Sequence, residues 1–388
     1  MALRFIIPSC AALALVFTSG ACGSDGAQGD DDDDDDDNTV DGGGEPDGPP
    51  TDWEPDIDAE RNTWTWLPVA GTQCMDGSPT GIGVNLAEAS RDVLIVMEGG
   101  GACFNTFTCN GVAHQNGFDD GDLASMVSDQ GSKGVFARDD QDNPFRNYHL
   151  IFVPYCTGDI FAGANPDGFG GRTQVGYTNV TAILDVLVPA FAGARRVVLS
   201  GVSAGGFGAM YNYHRTQVAF GDIPVTLLDD SGPPLSDTYT TPCMQQTLRT
   251  LWNLEATLPA DCTECTQVDG GGLGNMAAFA ADAHPDRRLG LVTSTRDGVI
   301  RLFLGQGYPS CPATGFPMPE ADFAAGVAEF RDVTLADHEN FRVFSIDSGL
   351  HTWLFENPVG STSSGGVKLT DWIRALLAGN GEWTSVAP

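Results

Sequence analysis

The sequence is poor in basic residues. Lys and Arg together number 19, against 52 Asp and Glu, and the formal net charge is −33. A protein that binds nucleic acid through its phosphates needs a basic surface, so this balance excludes nucleic acid as a partner. It also argues, more mildly, against a strongly anionic polymer as a substrate, because like charges raise the cost of approach.

Long apolar runs are scarce as well. After a first run that ends near Phe17, no stretch is long and apolar enough to span a membrane. That first run follows Arg4 and precedes small residues, a pattern typical of a secretory signal, and we assign residues 1–22 to it. We therefore expect an exported protein, located outside the cell or in the cell envelope.

The cysteines indicate how the signal is removed. Eight of them form an even set that predicts four disulfides: Cys74, Cys103, Cys109, Cys156, Cys243, Cys262, Cys265 and Cys311. Cys22 is left over at the end of the signal. This position favours a lipidated cysteine and a bacterial lipoprotein, whose contact with the membrane is the lipid anchor; the alternative is ordinary cleavage after Ala21.

The segment after Cys22 has the composition of a tether. Eight consecutive aspartates, Asp30 to Asp37, are followed by Gly, Pro, Asp and Glu, and the segment carries about half of the net charge. Such a segment has too few apolar residues to pack, so we expect a disordered, extended tether over residues 23–60. A calcium-binding role is the alternative, but the spaced ligands of a calcium loop are missing.

A strand, a sharp turn and a helix are predicted around Ser203. An apolar run over residues 195–202 leads into Gly201-Val202-Ser203-Ala204-Gly205, and a proline-free helical run follows. Glycines two residues to either side leave room for a strained serine, the arrangement of a nucleophile elbow. Ser203 is therefore the candidate nucleophile, with an ordinary glycine-rich turn as the alternative.

Alternating strands and helices predict the rest of the domain, residues 61–388. Short apolar runs typical of buried strands lie at residues 92–97, 149–155, 225–230, 288–294 and 341–346. Helical patterns occupy residues 175–191 and 369–377, and residues 233–289 read as an insertion stapled by disulfides. The fold class is therefore α/β: a mainly parallel sheet with helices on both faces and reactive groups at the carboxyl ends of its strands.

A glycine run follows the strand at residues 92–97. In Glu98-Gly99-Gly100-Gly101-Ala102-Cys103, several backbone N–H groups can turn toward one point, which is how an oxyanion hole is built. Gly100 and Gly101, together with the N–H of Ala204, are the candidate donors. A plain tight loop is the alternative.

A serine nucleophile needs a histidine base and a carboxylate that orients the base. The order serine, acid, histidine along the chain leaves His338 and His351. Placement favours His351, which lies on the loop directly after the last strand, whereas His338 precedes that strand. Asp297 follows the preceding strand and is the candidate acid, with Asp229 and Asp230 as alternatives. Loop aspartates also serve as helix caps, so that role stays open for all three.

Several blocks together resemble the pectin acetylesterase and Notum family of α/β-hydrolases. The blocks run in family order over roughly residues 70 to 235: Cys74-Met75-Asp76-Gly77-Ser78, Glu98 to Asn105, Asn143-Pro144-Phe145 with Val153 to Asp159, Ser200 to Gly206, and Asp230-Ser231-Gly232. The resemblance implies an α/β-hydrolase fold with Ser203, Asp297 and His351 as its triad and Gly100, Gly101 and Ala204 as its oxyanion donors. Ala102 replaces a tryptophan of the plant enzymes, so the acyl pocket has a different shape.

The resemblance also bears on the disulfides. It suggests that Cys74 pairs with Cys156. Cys103 and Cys109 are close enough in sequence to close a short loop, and for the others we expect Cys262 with Cys265 and Cys243 with Cys311.

The expected function is that of a carboxylic-ester hydrolase that works through an acyl-enzyme and needs neither metal nor cofactor. As a substrate we expect a short acyl ester of neutral or heavily acetylated carbohydrate, acted on by a monomer. The alternatives are a lipid or protein deacylase of the Notum type, a peptidase or polyester depolymerase, and a surface binding protein without catalysis on the same scaffold.

Overall fold

The computed structural model describes residues 53–311, 317–356, 359–379 and 381–388. The expected signal, Cys22 and most of the expected tether lie outside these residues. Among the described residues, no helix has the length and apolar character that crossing a membrane requires.

Eight strands form one sheet in the order β1-β2-β4-β3-β5-β6-β7-β8. The strands are β1 (Thr65–Pro68), β2 (Gly81–Asn85), β3 (Asp92–Met97), β4 (His149–Val153), β5 (Arg196–Val202), β6 (Val225–Asp230), β7 (Leu289–Ser294) and β8 (Phe341–Ile346). The β1–β2 and β2–β4 pairs are antiparallel, and every pair from β4 across to β8 is parallel. β9 (Ser363–Ser364) and β10 (Val367–Lys368) form a separate short ribbon.

The helices connect these strands. They are α1 (Thr106–Cys109), α2 (Asp120–Gln130), α3 (Gly176–Ala190), α4 (Ala204–Phe220), α5 (Pro242–Trp252), α6 (Met276–Ala283), α7 (Gly298–Leu304), α8 (Glu320–Glu329) and α9 (Leu369–Ala378). The described residues also contain short helical turns, at residues 134–136, 254–256, 263–265, 273–275, 330–334 and 359–361.

Both faces of the sheet are buried, and β3 shows how. Val93, Ile95 and Met97 pack into a core on one face with α3 and α4, while Leu94 and Val96 pack into a second core with α9. A strand buried on both faces needs apolar residues without alternation, which is why β3 reads as one continuous apolar run. The mainly parallel sheet with helices on both faces confirms the fold class expected from the sequence.

The eight cysteines among the described residues form four disulfides. The pairs are Cys74–Cys156, Cys103–Cys109, Cys243–Cys311 and Cys262–Cys265. These are the pairs named from the sequence. Two of them, Cys243–Cys311 and Cys262–Cys265, involve the insertion between β6 and β7, which therefore is stapled as expected.

The packed domain begins before residue 61, where the sequence had placed the end of the tether. The Trp53 ring lies edge-on to His149, with 6.3 Å between the ring centroids, and also packs against Phe191. Asp56 N–H donates to the carbonyl of Ala190 at 3.0 Å. Residues 53–60 thus belong to the domain, because Trp53, Ile57 and Ala59 pack against its apolar core.

Candidate active site

Ser203 stands at the turn between β5 and α4. Its backbone has φ 59° and ψ −121°, a region that costs a residue with a side chain free energy. A Cβ on Gly201 would lie 2.0 Å from the carbonyl oxygen of Gly205, and a Cβ on Gly205 would lie 2.0 Å from that of Met97. Both flanking glycines are therefore required by contact with backbone atoms, as the sequence pattern indicated.

The glycine run after β3 passes directly beside the serine. A Cβ on Gly99 would lie 3.0 Å from the Cβ of Ser203. Gly101 has φ +85°, which a glycine adopts without strain. Among the described residues no backbone carbonyl accepts from the N–H of Gly100 or Gly101, and Ala204 opens α4, where the first N–H groups lack helical partners. These are the three N–H groups that the sequence named as candidate oxyanion donors.

Glu98 fixes the start of this glycine run, a role the sequence analysis missed. Its Oε2 accepts from the N–H of Tyr155 at 2.9 Å, and its Oε1 lies 3.2 Å from Nε2 of His114. Burial lowers the pKa of His114, but the hydrogen bond and the charge of Glu98 outweigh burial and leave that pKa raised. The neighbouring Ala113 N–H donates to the carbonyl of Gly100 at 2.9 Å, so both segments hold the glycine run in place.

The structure brings His351 and Asp297 together. Nδ1 of His351 lies 2.7 Å from Oδ2 of the fully buried Asp297. The other carboxylate oxygen accepts from the N–H groups of Val299 and Ile300, both at 2.9 Å, so Asp297 also caps α7. An ionised carboxylate can only accept a hydrogen bond, and Nδ1–H of His351 is then the donor in this contact. Among the described residues, nothing hydrogen-bonds to the buried Nε2.

The alternative residues lie elsewhere. His338 pairs with Asp282 at 3.2 Å. Asp230 accepts from the backbone N–H groups of Trp353 and Leu354, at 2.6 and 2.8 Å, rather than from the His351 ring.

Asp229 makes no hydrogen bond to His351 among the described residues. Its Oδ1 accepts from the N–H of Gly232 at 2.9 Å, and its buried Oδ2 has no partner among the described residues. Burial raises the pKa of Asp229 well above its ordinary value.

An apolar cavity opens beside Ser203, Ala204 and Gly101. Its volume is about 130 Å³, roughly ten times what one water molecule requires. No charged side chain is found among the described residues that line it. Its walls come from α4, α7 and the insertion, and include Met210, Leu248, Trp252, Leu273, Phe303 and Leu304.

Fold and site together define an α/β-hydrolase scaffold with a serine elbow. The sequence model of the Pectinacetylesterase family matches residues 62–278, more than half of the chain. The chain therefore belongs to the pectinacetylesterase family.

The chain is also similar to Notum proteins, both in sequence and in fold. The mouse palmitoleoyl-protein carboxylesterase NOTUM is 29% identical over 178 residues, which cover 41% of this chain and 33% of the relative. An inactive palmitoleoyl-protein carboxylesterase, notum1b of zebrafish, is 29% identical over 100 residues, 24% of this chain and 67% of the relative. The structure of the Wnt deacylase Notum from Drosophila has a TM-score of 0.60 at 18% identity and covers 84% of this chain and 96% of that one. The chain thus spans about a third of the length of the mouse relative and shares the fold of the Drosophila protein.

The elbow makes a direct prediction. Gly205→Ala should destabilise the protein by several kcal/mol or prevent folding, because its Cβ would overlap the carbonyl of Met97. The matched control is Gly111→Ala, whose Cβ meets its nearest atom, Thr108 O, at 3.5 Å. Urea unfolding of both variants measures the difference, and equal stability of the two would contradict the tight elbow.

Proposed function

We propose that the protein is a carboxylic-ester hydrolase that forms an acyl-enzyme on Ser203. The observation that carries the proposal is that the strained Ser203 lines one apolar cavity together with Gly101 and Ala204, while His351, paired with the buried Asp297, follows β8 of the same sheet. This is the set of groups that acyl transfer requires.

The proposed reaction has two halves. Nε2 of His351 takes the proton from Ser203 Oγ as the oxygen attacks the ester carbonyl, and Asp297 holds the ring in the tautomer that leaves Nε2 free. The N–H groups of Gly100, Gly101 and Ala204 bind the developing oxyanion. His351 then gives the proton to the leaving alcohol. A water molecule, deprotonated by the same ring, attacks the acyl-enzyme, and the ring returns that proton to Ser203 Oγ as the carboxylic acid leaves.

The size and the apolar lining of the cavity indicate the length of the acyl group that it accepts. The sequence led us to expect a short acyl group, whereas an acetyl group would leave most of this apolar cavity unfilled. Each methylene buried contributes about 0.8 kcal/mol, or roughly a fourfold gain in binding. The lining therefore supports an apolar acyl chain of several carbons as the substrate group.

Release of acetyl groups from carbohydrate is the second candidate. It is favoured by the Pectinacetylesterase family match over residues 62–278. Because the chain is strongly acidic, charged pectin should be turned over faster as salt screens the repulsion, whereas neutral acetylated xylan should show little salt dependence.

We also propose that the protein is exported and held at the cell envelope by lipidation of Cys22. Four disulfides within the described residues support an oxidising location. The lipid anchor is supported by the leftover cysteine after the apolar N-terminal run.

Ser203→Ala should lower ester hydrolysis by at least about 10⁴-fold without unfolding the protein, because it removes only the attacking oxygen. Intact-mass measurement after treatment with an alkyl phosphonate should show one adduct that the variant lacks. Ser200→Ala is the matched control, since Ser200 is buried in the same strand and donates to the carbonyl of Leu228. An adduct on another residue would contradict Ser203 as the nucleophile, and a wild-type protein without hydrolysis would favour a binding protein on a hydrolase scaffold.

A series of p-nitrophenyl esters from acetyl to decanoyl tests the acyl cavity. In the wild-type protein, kcat/KM should rise with chain length until the cavity is filled. Leu273→Trp adds volume to the cavity wall and should lower kcat/KM for the longest filling chain about tenfold more than for acetyl. Val268→Trp, fully exposed in the same insertion, is the control. If acetyl is the best substrate in every variant, the deacetylase candidate is supported instead.

A further inference from the structure

Asp230 connects the two halves of the site. Its backbone carbonyl accepts from the N–H of Ser203 at 2.8 Å. Its Oδ2 accepts from the N–H groups of Trp353 and Leu354, and its Oδ1 accepts from the hydroxyl of Ser231 at 2.8 Å. One fully buried residue at the end of β6 thus holds both the backbone of the elbow and the loop that carries His351.

The His351 loop needs such a support. Thr352, next to the histidine, has φ 70°, a left-handed conformation that is costly for a β-branched residue. The N–H groups of the next two residues, Trp353 and Leu354, both donate to Oδ2 of Asp230. Successive backbone amides that converge in this way form a concave site for an anion. The hydroxyl of Ser294 donates to the carbonyl of Leu350 at 2.7 Å on the other side of the histidine. The loop is therefore fixed on both sides of His351.

We propose that Asp230 is a positioning residue for the base: its carboxylate holds the 351–354 loop in its strained conformation and places a second negative charge beside the His351 ring. The inference rests on the proposed function, in which His351 carries a positive charge in the transition state. Asp297 then orients the ring directly, and Asp230 acts through the backbone that follows it.

The charge of Asp230 is maintained at a cost. Burial raises its pKa to about 6, although the N–H groups of Trp353 and Leu354, the Ser231 hydroxyl and the charge of His351 lower it. Asp229 is the other titratable group that faces it. Because this pKa is higher in the folded protein than in the unfolded chain, stability from Asp230 is present below about pH 4 and is lost as pH rises through 6. At neutral pH, the ionised carboxylate therefore opposes folding.

The experiment compares Asp230→Asn with Asp229→Asn. The amide at position 230 keeps one oxygen for the two N–H groups but loses the charge, whereas Asp229 makes no hydrogen bond to the 351–354 loop among the described residues. Asp230→Asn should lower kcat about 10- to 100-fold with KM nearly unchanged. It should move the acid limb of kcat/KM to lower pH by on the order of half a unit or more, because a lost negative charge makes His351 harder to protonate. Its thermal stability at pH 8 should equal or exceed that of the wild-type protein.

Two further measurements distinguish a role of Asp230 in positioning His351 from a role in stabilising the fold alone. In the Asp230→Asn background, Thr352→Gly removes the loop strain and should restore part of kcat. NMR titration of the His351 ring, assigned with His351→Gln, should show the same downward change in Asp230→Asn and none in Asp229→Asn. This titration needs no catalysis, so it decides the role of Asp230 even if no ester is hydrolysed, an outcome that would count against the proposed function alone. An unfolded Asp230→Asn protein, or a titration and pH profile like those of the wild-type protein, would overturn the proposal.

Discussion

The structure around the site depends on one strained residue, Ser203, at the junction of β5 and α4. Its positive φ turns the side chain out of the sheet. This turn requires glycine on both sides, because a Cβ on Gly201 or Gly205 would lie 2.0 Å from a backbone oxygen. The strain persists because β5 from Val197 onward and the residues that open α4, Ala204 to Gly206, are buried. A serine held this way presents its hydroxyl at the cavity rather than into a core.

Parallel strands explain how distant residues meet. Gly100, Ser203, Asp230, Asp297 and His351 all follow or end strands whose carboxyl ends lie at one edge of the sheet. The order of these residues along the chain therefore places them at the same edge of the sheet. Backbone groups hold the loops in this arrangement: the N–H of Ser203 donates to the carbonyl of Asp230, and the N–H groups of Trp353 and Leu354 donate to its carboxylate.

Elements with strong local signals could be predicted from the sequence. Strand β3 was placed with its observed bounds because its five apolar residues are buried on both faces, and His351 and Asp297 followed from the order of strands. Strand β2 was missed, since Gly81 and Gly83 carry no strand signal; a Cβ on Gly83 would lie 2.6 Å from Leu123, a contact between distant parts of the chain. Similarly, nothing local showed that Trp53 packs on the domain, or that Asp230 binds the loop after His351.

The most direct test of the account is a crystal structure of the protein treated with a long-chain alkyl phosphonate. The account predicts phosphorus bonded to Ser203 Oγ and the phosphoryl oxygen within about 3 Å of the N–H groups of Gly100, Gly101 or Ala204. It also predicts that the alkyl chain lies in the apolar cavity between α4, α7 and the insertion. A phosphoryl oxygen turned away from the glycine run, or an alkyl chain lying outside the cavity, would contradict it.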